Sequence, residues 1–142
     1  MANAISNQGT VGHTVIAAVT GADTRIWALH TDVEHPAVTV TNHGGSRRHH
    51  RAVLESRAND TGVSDVPYFV DVAHALASAT NIVVLGHGTG NANVARRFLA
   101  WSRDHDPGLH GRIVRVEDRD IPALTDAQLH REGRLIWRSL TA

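Results

Sequence analysis

Residues 81–85 read Asn-Ile-Val-Val-Leu and run straight into Gly86-His87-Gly88-Thr89-Gly90-Asn91. A short apolar run without alternation belongs to a strand covered on both faces, at the centre of a sheet. Such a sheet carries helices against it, so the chain has to combine strands and helices in packed layers. The glycines mark a tight passage from that strand into a following helix.

The rest of the chain fits the same scheme. Residues 1–12 are small and polar and read as a flexible N-terminus. Two apolar runs, residues 14–19 and 25–29, flank Thr20-Gly21-Ala22-Asp23-Thr24, which predicts a β-hairpin with a loop of four to five residues. In residues 37–42, Val38 and Val40 alternate with Thr39 and Thr41, the mark of a half-buried strand. Residues 43–64 are basic, His-containing and then polar, and form a long loop. Ser64 or Asp65 can cap a helix that has Pro67 in its first turn and Phe69, Val72, Ala73 and Leu76 on one face. His74 lies beside that stripe and reads as structural. A second helix carries Val94, Phe98 and Trp101 and stops at Pro107-Gly108. Residues 112–116, Arg-Ile-Val-Arg-Val, read as a strand. Thr125 and Gln128 form a capping box for a last helix with Leu129, Gly133, Ile136 and Leu140 on one face.

The order is therefore β-β-β-loop-α-β-α-β-α, one α/β domain over residues 13–142. The expected architecture is a mixed sheet with helices packed on it, an α/β sandwich. Right-handed crossovers place the last two strands parallel. Their apolar character predicts that they are adjacent and interior.

Composition narrows the chemistry. There is no cysteine, which excludes thiolate nucleophiles, disulfides, iron–sulfur clusters and thiolate zinc sites. Every basic side chain other than histidine is arginine, which excludes lysine Schiff-base chemistry. Arginine and acidic residues balance at 14 each, so no global charge favours a polyanion or a membrane surface. No apolar run reaches membrane-spanning length and the first residues do not form a signal peptide, so the expected location is the cytoplasm. No G-x-S-x-G elbow occurs, and the carboxylate pairs Asp104/Asp106 and Asp118/Asp120 fall in predicted loops facing solvent. Histidines 43, 49, 50, 105 and 110 also fall in loops without metal-ligand spacing. The expectation is a protein with no catalytic residues, no metal and no cofactor.

Two segments stand out as candidate binding elements. The first is Arg47, Arg48, His49, His50 and Arg51, in a stretch where four arginines face only Glu55 between residues 43 and 57. Arginine forks bind phosphate in a bidentate manner, so this loop is a candidate RNA or phosphate contact. The second is the turn Gly86, His87, Gly88, Thr89, Gly90 and Asn91. Backbone N–H groups at such a turn can cradle an anion. The dinucleotide fingerprint is incomplete, because Gly90 comes one residue too early, and the phosphate loop of ATPases is absent. A small nucleotide- or phosphate-binding protein using this turn is one functional reading.

Tyr68-Phe69, Val72-Ala73, Ala75-Leu76 and Ala79, then Ile82 to Gly88, Phe98-Leu99 and Arg112 to Glu117, resemble a small bacterial family of translational-machinery proteins. That family is similar to the third domain of archaeal and eukaryotic class I peptide-chain release factors and of Pelota. The resemblance runs from about residue 13 to residue 140. His87 takes the place of a proline, Gly90 of an alanine and Asn91 of a lysine in the family turn Gly-Pro-Gly-x-Ala-Lys. The segment after the last strand, residues 118–125, is longer and more acidic than the family's Asp-His-Pro-Thr. The resemblance implies a release-factor-third-domain-like sandwich and an adaptor that binds the ribosome, its rRNA or a translation factor. It implies no peptide release, since that activity needs a Gly-Gly-Gln tip and the sequence contains none.

Overall fold

The computed structural model describes residues 13–30, 35–43 and 65–141. Strand β1 (Thr14–Val19) is buried along its whole length. Its side chains alternate between two cores: Val15, Ala17 and Val19 point into one, and Ile16 and Ala18 into the other. Around it stand β2 (Asp23–Ala28), β3 (Val38–Thr41), β4 (Asn81–Gly86) and β5 (Ile113–Asp118). The five strands form one sheet in the order β3-β2-β1-β4-β5. β1 runs antiparallel to β2, and β2 to β3, while β1–β4 and β4–β5 are parallel. This is the expected mixed α/β architecture.

Helices α1 (Val66–Ala75), α2 (Val94–His105) and the short α3 (Pro107–His110) supply the first core. Phe69 and Phe98 meet there edge to face at 5.4 Å, with Trp101 alongside. Helix α4 (Asp126–Thr141) covers the other face with Leu129 and Ile136 against Ile16, Trp27, Val83 and Leu85. Gly133 lets it lie flush on β1, since a Cβ there would stand 2.5 Å from the Ile16 side chain. The predicted capping box starts this helix: the Gln128 amide donates to Thr125 Oγ1 at 3.1 Å, and the Thr125 amide to Gln128 Oε1 at 2.9 Å.

Several local expectations are corrected. β5 is adjacent and parallel to β4, but it is an edge strand and not an interior one. Its charges explain this. Arg115 pairs with Glu117 at 3.8 Å, which a strand buried on both faces could not accommodate. A register shift opposite Ile82 and Val83 leaves Val114 unmatched and 40% exposed, a bulge of the kind that blunts a sheet edge. Arg112 precedes the strand, and its guanidinium gathers the carbonyls of Leu76, Ala77, Ala79 and Gly108. The hairpin loop is shorter than expected, residues 20–22, because Thr20 Oγ1 accepts from the amides of Ala22 and Asp23 and closes it early. Asp65 stands at the start of α1 but makes no side-chain cap; its carboxylate meets Arg97 at 3.0 Å instead. His74 is exposed; among the described residues the buried histidine is His130, stacked on Trp27 at 6.1 Å.

Candidate functional site

In an open parallel sheet, ligands bind beyond the carboxyl ends of the strands. Here β1, β4 and β5 deliver Thr20, Gly86 and Asp118 to one end of the sheet. Gly86 closes β4 in a space with no room for a side chain: a Cβ would lie 2.8 Å from both Ala95 Cβ and Asn93 Oδ1. The chain then turns through Gly88 at φ +99° and Gly90 at φ +55°, both in the region that favours glycine. His87, Thr89, Gly90 and Asn91 are exposed on this turn. His87 Nδ1 lies 3.1 Å from the Arg119 carbonyl, so that nitrogen carries the proton and donates.

The helix does not open directly from this turn. A 3₁₀ turn, Gly90–Ala92, intervenes, and α2 begins at Val94. The capping residue is Asn93. Its Oδ1 accepts from the Arg96 amide at 3.2 Å, and its Nδ2 donates to the Gly88 carbonyl at 3.1 Å and to Asp118 Oδ1 at 2.9 Å. Arg96 Nη2 reaches the other Asp118 oxygen at 3.2 Å. A carboxylate from β5 thus already sits at the start of α2, where the helix dipole favours negative charge.

The neighbouring charges are paired in the same way. Arg119 Nε donates to Glu132 at 2.8 Å and Nη1 to Glu117 at 3.3 Å, bonds that hold its guanidinium above its ordinary value. Arg25 meets Asp126 at 2.5 Å. Tyr68 shares a 2.7 Å hydrogen bond with Thr24 and donates to the Thr20 carbonyl at 2.8 Å, and burial pushes its phenol well above the ordinary range. Asp118, expected in a loop facing solvent, is exposed but ends β5 and binds the Asn93 and Arg96 side chains, while Asp106 is half-buried. Asp106 Oδ1 accepts from the Leu109 amide at 3.2 Å and caps α3.

The other predicted contact, Arg47, Arg48, His49, His50 and Arg51, lies outside the described residues. Among the described residues no helix is long and apolar enough to cross a membrane, and no group of three or more histidine, aspartate or glutamate side chains is arranged to hold a metal ion. Residues that sequence reasoning missed are Asn93, Arg96 and Asp118. Asn93 had a local signal, an Asx residue just before the apolar stripe of Val94 and Phe98. Nothing local links it to Asp118, 25 residues away. Neither a protein-family model nor a curated protein matches the sequence.

Proposed function

We propose that this chain is a non-enzymatic adaptor of the translation machinery that binds the ribosome or a translation factor in the cytoplasm and has no peptide-release activity. The observation that carries the proposal is the sheet, a five-stranded mixed array in the order β3-β2-β1-β4-β5 between helical layers. An α/β sandwich is what the sequence resemblance to release-factor third domains implies, and those domains serve protein contacts. The polar groups around the glycine turn support the same reading. They are engaged with one another, which suits a scaffold that presents surface.

Phosphate contact in this proposal falls to Arg47, Arg48 and Arg51. Sedimentation of the purified chain with ribosomes of its own host tests it. Co-sedimentation that weakens with salt is expected, with a slope of about −0.7 to −0.9 in log K against log salt for each phosphate contacted. Replacing the three arginines with alanine should flatten that slope. Failure to pellet with ribosomes or with translation factors would remove the proposal, and unchanged binding by the triple variant would remove the loop from it.

The nucleotide or phosphate reading of residues 86–91 meets an obstacle in Asp118. Its carboxylate holds the α2 cap and repels a second anion. Asn91→Lys adds a cation on the exposed side of the turn. If neither the native chain nor this variant binds phosphate or nucleotide there, the turn is architectural.

A further inference from the structure

At the opposite end of the sheet, where β2 finishes, a groove opens between Leu29-His30 and the last turns of α4. Its volume is about 420 Å³, and Leu29, His30, Arg134, Trp137, Arg138 and Thr141 line it. That is the size of site that takes a small organic ligand. Leu29 is 3% exposed and joins the core beneath, against which Trp137 also packs. Arg134 and Arg138 are four residues apart on α4, so they rise side by side on one face of the helix.

These two guanidiniums differ from most others in the structure. Arg25, Arg96, Arg97, Arg103, Arg115 and Arg119 each meet a carboxylate, and Arg112 donates to four carbonyls. Among the described residues neither Arg134 nor Arg138 has an ion pair; Arg134 Nε, like Arg25 Nε, is buried with no hydrogen-bond partner, but Arg25 has carboxylates beside it and Arg134 has none. Cations near a helix C-terminus gain from the dipole, but that gain does not explain a buried donor left open. Two like charges at this spacing repel each other, and an anion between them relieves both costs.

We infer that this groove binds one nucleotide unit, with its phosphate held by Arg134 and Arg138 and its base against Trp137. Paired arginine forks suit a phosphate and an indole suits a base, while His30 adds a further polar group at the rim. The unit belongs either to a free nucleoside monophosphate or to single-stranded RNA. The inference stands apart from the adaptor proposal, since the groove contains none of the residues on which that proposal rests.

The test is titration of the intact chain with AMP, inorganic phosphate and short adenine oligoribonucleotides, read by tryptophan fluorescence and by equilibrium dialysis. Trp27 is fully buried and Trp101 packs in the core on the other side of the sheet, so loss of the signal in Trp137→Phe assigns it. Arg138→Gln and Trp137→Leu should each weaken AMP binding about tenfold, the effect of losing a charged hydrogen bond or a stacked base. Arg131→Gln, on the same helix outside the groove, should leave binding unchanged. Affinity that rises with oligonucleotide length identifies RNA as the source, and tighter binding of AMP identifies the free nucleotide. Absence of AMP and RNA binding overturns the inference. So does binding that survives Arg138→Gln and Trp137→Leu, or inorganic phosphate displacing AMP as well as unlabelled AMP does. Ribosome binding in the absence of nucleotide binding would leave the adaptor proposal standing and this one refuted.

Discussion

The two polar ends of the sheet are built on opposite principles. Around the glycine turn the charged groups are engaged with one another: Asp118 holds Asn93 and Arg96, Asn93 holds Gly88 and the start of α2, and Arg119 holds Glu117 and Glu132. At the groove beside α4, Arg134 and Arg138 have no ion pair among the described residues, and a buried guanidinium nitrogen has no partner. The turn carries the sequence motif, and the groove carries two arginines without a carboxylate. A glycine-rich turn therefore need not be a ligand site, because its glycines have a full structural explanation in Gly86's contact with Ala95 and in the positive φ of Gly88 and Gly90.

If the contrast is right, substitutions at the turn cost stability and those at the groove do not. The largest effect is expected for Gly86→Val, which drives a side chain into Ala95 and Asn93. Overpacking of this kind should destabilise by about 3 kcal/mol, measured by denaturant unfolding. Asn93→Ala comes next. Asn93 is 1% exposed, and its loss removes the α2 cap and leaves Asp118 without one donor. A loss of about 1–2 kcal/mol is expected in the same assay. A turn that tolerated both changes would erase the distinction between the two ends.

Arg134→Met sharpens the comparison from the other side. It removes a buried donor that has no partner and keeps much of the side-chain volume, so stability should move by no more than about 0.5 kcal/mol. A large loss would show that the groove is part of the frame.

The smallest effect is a pH dependence at the groove's end of the sheet. His13 precedes β1 there, its Nε2 is buried without a hydrogen bond, and burial lowers its imidazole below the ordinary value of 6.5. The unfolded chain then takes up a proton more readily than the folded one. The His13 contribution is complete above pH 6.5 and declines as pH falls through that value towards the folded one. His13→Gln should flatten the stability profile in that window. An unchanged profile would show that His13 titrates alike in both states.

Local chemistry explains which parts were legible beforehand. The capping box of α4 is carried by two residues three apart, and the VTVT alternation of β3 by neighbours, so both are visible in the string itself. The unbroken apolar run of β4 marks a strand covered on two sides wherever it is placed. By contrast, residues 112–116 look nearly as apolar, and only the pairing order shows that β5 stops at an edge with Arg115 and Glu117 turned to each other. The Asn93–Asp118 bond forms only when β5 is laid parallel to β4 and brings a carboxylate to the start of α2.

The sequence by itself determined that this chain builds a mixed α/β sheet with helical layers, and that thiol and lysine chemistry are closed to it. Periodicity, caps and composition act over a few residues, and they need no knowledge of neighbours in space. Which strand became the edge, which carboxylate met Asn93, and which arginines found no carboxylate were decided by the tertiary structure alone. Each of those outcomes is a meeting of side chains distant in sequence: Asp118 with Asn93, Arg119 with Glu132, and Arg134 beside Leu29 and His30 across a groove. Charge pairing depends on distance in space, and only packing sets that distance.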